Sequence, residues 1–391
     1  MTKALISGGG IAGLTLGILL KQRGIEPLIV EREPGLRTEG YVMDFFGAGW
    51  DVAERMGLVP QLRAINYPID RMEFVDDRGK PYVSVPIEVV RKALDDRYVY
   101  LRRSDLERIL YERARAAGVD IRFGASLAAL RQDESAVHAT FEDGSEQSFD
   151  LIFGADGVHS RVRALLFGEE RRFARFLGAY VAAFHLASHN FDIGRALKLY
   201  EETDRVGAFY PLDARRMDAT YVFRHDEVGV PHERRLDLVR GAYKGAGWIL
   251  EQVLAAYPGK APIFFDSMTQ IVMPRWYRGR VALLGDACGC LTLLAGQGSH
   301  IAMAGAYVLA REISRHGAGN YARAFAAYEA LLKPAVDKRQ RDAATFAKVF
   351  VPSSRSRPWL RRLTIRLMFN PLVLPLVFRW FGAKSVLAGY A

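Results

Sequence analysis

Three stretches of the chain set glycine against an acid or a helix start in ways that suit a nucleotide. The first is Gly8-Gly9-Gly10-Ile11-Ala12-Gly13, a G-x-G-x-x-G between the apolar run "ALIS" and a helical pattern that begins at Ile11. Gly8 permits a tight turn, Gly10 lets backbone amides approach a pyrophosphate, and Gly13 lets helix and strand pack closely. The helix N-terminus then presents partial positive charge to phosphates. Glu31, followed by Arg32, ends the next strand, where an acid takes ribose hydroxyls. Gly8, Gly10, Ala12, Gly13, Glu31 and Arg32 are therefore candidate dinucleotide contacts. This turn by itself does not distinguish NAD from FAD. The second stretch, "DLIFGADGVHSRVR", puts Asp156-Gly157 at a strand end with basic residues after it. The third, "GRVALLGDA", puts Gly285-Asp286 at another strand end, ahead of Gly296-Gln297-Gly298.

These residues need a scaffold, and the patterning supplies one. Residues 4–7 read as a buried strand, Ile11 to Arg23 as a helix capped by Gly24, and "EPLIVERE" as a second strand, together a βαβ unit. Ser104 to Ala117 is an amphipathic helix ending at Gly118. Residues 121–154 read as a meander with a hairpin at Asp143-Gly144, and 72–90 as a hairpin around Asp77–Gly79. Residues 173–225 hold short aromatic strands without intervening helices, which indicates an antiparallel sheet. Residues 233–257 read as helical, "MTQIVM" returns to strand, and "RVALLGDA" reads as a parallel strand rejoining the first sheet. The expected architecture is a nucleotide-binding α/β domain, interrupted by an antiparallel sheet and resumed near Arg275.

The 391 residues are half hydrophobic and one quarter charged, ordinary for a globular protein of two domains. The formal charge of +10 is uneven: residues 355–391 carry six Arg and one Lys and no acid, so the body is nearly balanced. That balance gives no support for a nucleic-acid partner. Two cysteines rule out a disulfide framework, and "MTKALISGGG" enters strand and turn at once without a secretory pattern, so the expected setting is reduced and cytoplasmic. Cys288 and Cys290 form a C-x-C without the four ligands that zinc needs and without the usual redox spacing, so no metal is expected and packing is the better reading.

Taken together, the three motifs in this order resemble the class A flavoprotein monooxygenases of the para-hydroxybenzoate hydroxylase type. Within them, "YVAAFHLA", "GAYVLA" and "YEALLKP" are similar to the tetracycline-inactivating flavoenzymes. The resemblance implies a Rossmann-like FAD-binding domain from 1–71, 97–172 and 275–333. It implies an inserted antiparallel-sheet substrate domain from 72–96 and 173–274, and C-terminal helices over 334–391. FAD would lie with its adenosine on the glycine turn. Arg103, in "RSDL", would contact FAD, with Arg102 as the alternative; Asp156 would serve FAD and NAD(P)H use. Asp286, after Gly285, would hold the ribityl chain, and Gly296, Gln297 and Gly298 would bring backbone amides to the flavin pyrimidine edge. A helix N-terminus there stabilises the negative charge of reduced flavin. The implied reaction is NAD(P)H-dependent insertion of one oxygen atom from O₂, through a flavin C4a-hydroperoxide, into an apolar or aromatic small molecule. No catalytic acid or base is assigned, because the cofactor carries the chemistry.

Substrate-pocket candidates are Met43 and Phe45 from "GYVMDFFGAGW", His185, Tyr200, Tyr210 and Phe223 from the aromatic strands, and His300, with Arg195 on the same sheet. The chain departs from the family pattern around the ring: Gly289 stands for the usual His, Leu293 for Pro, His300 for Asn and Gly305 for an acid. The tail is the least family-like part. Leu367 to Phe378 is uncharged but too short and Pro-interrupted to span a bilayer, while flanking Arg with Trp359, Trp380 and Phe381 suits peripheral contact with a membrane. The competing reading packs this tail on the flavin domain or a partner subunit. A membrane-associated epoxidase or reductase acting on a lipid-like substrate is the alternative function, and a flavin-bearing sequestration protein without turnover is a third.

Overall fold

The backbone path follows from where apolar residues run unbroken and where glycine interrupts them. The computed structural model describes residues 1–37, 40–188, 190–259, 263–292, 296–352, 358–370, 373–374 and 385–390. Strand β1 (Lys3–Ser7), helix α1 (Ile11–Lys21) and β2 (Glu26–Glu31) form the opening βαβ unit. β3 (Val42–Phe45), α2 (Gly47–Arg55) and α3 (Val59–Ala64) lead to a hairpin of β4 (Arg71–Val75) and β5 (Pro81–Pro86). After it come α4 (Ile87–Ala93), β6 (Val99–Arg102), α5 (Arg103–Ala116) and β7 (Asp120–Phe123). β8 (Leu127–Gln132), β9 (Val137–Phe141) and β10 (Glu146–Phe149) make the meander, and β11 (Leu151–Gly154) precedes α6 (Arg161–Leu166). Four long strands follow: β12 (Ala174–Leu186), β13 (Ala196–Glu202), β14 (Arg205–Pro211) and β15 (Met217–Arg224). Then α7 (Arg235–Ala242), α8 (Leu250–Ala256), β16 (Phe264–Ile271), β17 (Tyr277–Arg278) and β18 (Val281–Leu283) bring the chain back. It ends with α9 (Asp286–Gly289), α10 (Gly298–His316), α11 (Tyr321–Phe350) and α12 (Pro358–Met368).

Two large sheets result. One has the order β17-β18-β11-β1-β2-β7 and is parallel except for the β17–β18 edge. Its central strands β1 and β11 are buried along almost their whole length, as a parallel sheet covered on both faces requires. The other has the order β16-β12-β15-β14-β13-β4-β5 and is antiparallel except for β13–β4. The fold is thus the expected α/β nucleotide-binding architecture, with an antiparallel sheet formed by the segments on either side of β6–β11. The uniform helical reading of 233–257 needs correcting. Gly245 at φ +66° and Trp248 at φ +51° break it into α7 and α8, because neither conformation continues a right-handed helix. Among the described residues no helix is long and apolar enough to cross a membrane. Trp380, Phe381 and half of Leu367–Phe378 lie outside the described residues.

The three motifs meet because glycine removes the atoms that would keep them apart. A methyl group on Gly8 would lie 2.6 Å from the carbonyl carbon of Ala155 and 2.8 Å from Cα of Asp156, and one on Gly13 would overlap the Gly8 carbonyl oxygen. Behind this junction sits Arg163 of α6, fully buried. Its guanidinium donates to the Ala287 carbonyl at 3.0 Å, to the Val158 carbonyl at 2.5 Å and to Glu170 at 2.9 Å. One side chain therefore ties the Asp156-Gly157 loop to the Gly285-Asp286 loop. A second tie is the reciprocal pair Gln270 and Gln340, which bonds the carbonyls of Ile271, Cys290, Leu291 and Gln340 where β16, the loop after α9 and α11 converge.

Arg163→Met keeps most of the volume and leaves these carbonyls without a donor, so urea unfolding is expected to show a loss of about 3 kcal/mol at an unchanged slope. An unaltered midpoint would remove Arg163 from this role.

Candidate active site

At one end of the site, α1 begins with Gly10 as N-cap, with no side-chain cap and no acid in its first turn, so its free N–H groups keep their polarity. Glu31, at the end of β2, accepts from the Gly9 amide at 2.8 Å and from the Glu33 amide at 3.0 Å, which holds its carboxylate against the glycine turn. Arg32 turns to solvent and pairs loosely with Glu33 at 3.6 Å. The first residue of α5, Arg103, is anchored to Glu107 one turn on at 2.7 Å, and its other guanidinium nitrogen faces Gly10. Burial works against its charge, but Glu107, Tyr41 and Asp286 more than offset that and raise its pKa. Arg102 points elsewhere, its Nε 3.1 Å from the buried carboxylate of Asp218.

Asp156 accepts from Ser160 at 2.5 Å, from the Val162 amide at 3.0 Å and from Ser7 at 3.3 Å. It thereby joins the end of β1 to the start of α6, and burial raises its pKa against those hydrogen bonds. Gly285, at φ +62°, presses the next turn against Ala12, where a methyl would come within 3.1 Å of the Ala12 side chain. Asp286 then opens α9 with its carboxylate toward Gly298. Burial pushes its pKa up and the facing Arg103 pulls it back. α10 starts at Gly298 without a side-chain cap or an acid in the first turn. Gln297 before it accepts from Arg339 of α11 at 2.9 Å, and Gly296 is left-handed at φ +59°. Asp286 thus stands between the arginine at the glycine turn and the open end of α10.

The opposite wall comes from β3, β6 and the antiparallel sheet. Alternation along β3 sends Met43 and Phe45 into the core shared with β1, α1 and α10, Met43 reaching Ser299 at 3.5 Å. Val42 and Asp44 face the other way. Asp44 accepts a short hydrogen bond from Tyr98, and the Tyr98 ring stands edge-on to Tyr100 at 5.2 Å. Tyr210 of β14 packs in the same cluster. Burial raises the Asp44 carboxyl pKa. On β12, His185 meets its register partner Asp218 of β15 at 3.0 Å. His300, in the first turn of α10, is buried between Phe45 and Phe46, with Nε2 3.2 Å from the Asp44 carbonyl and 3.4 Å from the Phe46 amide.

Two pocket candidates are moved by strand parity and a third, Arg195, by its exposure. Tyr200 and Phe223 lie on the far face of the sheet, in the apolar layer shared with Tyr243 and Leu250 under α7 and α8. Arg195 is exposed and paired with Asp70 at 2.7 and 2.9 Å. Among the departures from the family pattern, Gly289 is tightly packed: a methyl there would come within 2.9 Å of Val336 on α11, so a larger side chain would require Val336 to shift, whereas a methyl on Gly305 would meet Tyr328 only at ordinary contact distance. Leu293 lies outside the described residues. Cys288 and Cys290 are buried and unbridged, their thiols pushed up by burial. Asp44, Tyr98, Asp218, Arg163 and Arg339 escaped the sequence reading. Only Asp44 carried a signal, as the one acid in "YVMDFF".

A family model described as FAD binding domain matches residues 1–344. The chain belongs to this family of class A flavoprotein monooxygenases. It is 30% identical to a flavin-dependent monooxygenase of Legionella longbeachae, over 89% of this chain and 90% of that protein. The crystal structure of the tetracycline destructase Tet(51) superimposes with a TM-score of 0.79 at 28% identity, covering 95% of this chain and 97% of that one. Klebsiella pneumoniae HpxO complexed with FAD and uric acid shares the fold, with a TM-score of 0.82 at 21% identity over 98% and 97% of the two chains. FAD is the family's cofactor, and the residues present suit it: two open helix ends for anionic groups, a half-buried arginine at the glycine turn, and an acid beside them.

Burial lowers the His300 pKa from 6.5 to about 4. The unfolded chain therefore binds a proton first as pH falls, and stability is lost between about pH 6.5 and 4. Relative to His300→Gln, the native enzyme is expected to lose about 3 kcal/mol across that window in denaturant titrations at stepped pH. Parallel profiles would show that His300 is not neutral in the fold.

Proposed function

We propose that the enzyme uses NAD(P)H and O₂ to insert one oxygen atom into an apolar or aromatic small molecule. The observation that carries this reading is Asp286, set between Arg103 at the glycine turn and the uncapped start of α10. In this proposal Glu31 takes the ribose hydroxyls, the α1 end and Arg103 take the pyrophosphate, and Asp286 takes the ribityl chain. The amides near Gly296–Gly298 face the pyrimidine edge. When bound, FAD supplies the redox chemistry, accepting electrons from NAD(P)H and activating O₂. The protein then excludes water, aims the substrate and stabilises negative charge on the ring with the α10 end.

The facing wall supports this substrate class. Phe46, Tyr98, Tyr100 and Tyr210 give an aromatic surface, and the His185–Asp218 pair gives one polar anchor with His185 partly exposed. That combination suits a ring system bearing a hydroxyl or keto group, and the tetracycline in the name of Tet(51) is of that kind. Asp44, raised by burial, holds Tyr98 as a positioning residue.

Three measurements test this. Purified holoenzyme is expected to oxidise NADPH or NADH faster when a matching aromatic substrate is added, with ¹⁸O from labelled O₂ in the product; no stimulation across a broad panel of ring compounds would overturn the reading. Arg103→Ala and Asp286→Ala should each weaken FAD binding at least about tenfold in fluorescence titrations. His185→Ala should raise KM about tenfold with kcat little changed; a loss confined to kcat would place His185 elsewhere in the reaction.

A further inference from the structure

The helix α12 carries two apolar stripes. One is inward: Ile365 is buried, and Phe369 just beyond the helix packs on Phe74 of β4 at 5.0 Å. Arg361 fixes this face by bonding both oxygens of Glu201, at 2.6 and 2.7 Å, and the Phe350 carbonyl. The second stripe points away from the protein. Trp359, Leu360, Leu363 and Leu367 are 62%, 48%, 47% and 58% exposed, and helical geometry places all four within about 100° of arc opposite Ile365. Val373 continues it. Among the described residues these five account for most of the large hydrophobic side chains in open solvent; the others, Met1, Val228 and Val272, are scattered. A globular protein rarely leaves so much of one helix face apolar without a use for it.

The charge around the stripe says what that use is. Arg362 and Arg366 are exposed and border it, held in place by Tyr82: the Arg362 guanidinium lies 5.3 Å from the ring centroid and Arg366 donates to the Tyr82 carbonyl at 3.2 Å. From residue 355 onward the chain has seven cationic residues and no acid, while the rest of the protein is nearly neutral. A protein partner for an apolar stripe does not call for such a one-sided charge. An anionic bilayer does, since acyl chains accept Trp and Leu while headgroups accept Arg.

We propose that α12 docks the enzyme on the surface of an anionic phospholipid bilayer, with Trp359, Leu360, Leu363 and Leu367 inserted at the interface and Arg362 and Arg366 at the headgroups. The contact is peripheral. It sets the β4–β5 edge of the antiparallel sheet against the lipid, because α12 rests on that hairpin. It is independent of the reaction assigned above.

The test is co-sedimentation of the full-length flavoprotein with vesicles of phosphatidylcholine alone or with about a third phosphatidylglycerol. The expected result is pelleting with the anionic vesicles, little with phosphatidylcholine alone, and release by salt. Leu363→Glu/Leu367→Glu should cut the pelleted fraction at least about tenfold, with flavin absorbance and thermal melting unchanged because both side chains are exposed. Arg362→Gln/Arg366→Gln should erase the preference for anionic lipid. No pelleting, or pelleting indifferent to Leu363→Glu/Leu367→Glu, would overturn the proposal. So would a dimer in light scattering that those two substitutions convert to monomer, since a second copy would then cover the stripe.

Discussion

Everything in the flavin half rests on a contact made by missing atoms. Gly8 and Gly13 let the first turn of α1 and the end of β1 pass so close to Ala155 and Asp156 that a single Cβ at either glycine would collide with backbone. Gly285 repeats the device against Ala12. Three strand ends, on β1, β11 and β18, are thereby drawn to one point, and the residues following each strand become neighbours. The absence of side chains also leaves amides of α1 and α10 uncovered at that point, so the packing constraint and the binding chemistry have one origin.

Holding such a junction requires polar groups to be satisfied where water is scarce. Arg163, Gln270 and Gln340 do this by donating to loop carbonyls from deep inside the fold, and Asp156 does it by accepting from two serines and an amide. These groups set the geometry and leave two charges, Arg103 and Asp286, to act on one another near the glycine turn. Buried carboxyls at 44, 156, 266 and 286 all have raised pKa values for the same reason, the cost of a charge away from water. The site is therefore poised to receive a ligand that brings both anionic and polar groups.

How much of this was legible beforehand depended on the range of the interaction. The glycine turn, the βαβ unit, the Asp-Gly and Gly-Asp strand ends and the hairpins at Gly79 and Gly144 are written in neighbouring residues, and the left-handed backbone at both hairpin glycines follows the residue type. The substrate wall was harder. Tyr200 and Tyr210 look alike in sequence, each a tyrosine in one of two adjacent strands. Strand parity sends the first under α7 and α8 and the second toward Asp44. Asp218 gave no local sign, because its partner His185 is 33 residues away along the chain, and the tie from Arg163 to the Ala287 carbonyl spans 124 residues.

The sequence by itself determined the nucleotide fold and the family, since glycine spacing and strand-end acids act through backbone geometry over a few residues. Tertiary structure decided which arginine of the pair 102–103 faces the glycine turn, how closely position 289 packs on Val336, and which aromatic side chains lie under α7 and α8 and which turn to the other face. It also decided that α12 keeps one apolar stripe inside and one outside. Each of those outcomes depends on which surface a distant element presents, and that is settled only when the sheets and helices pack.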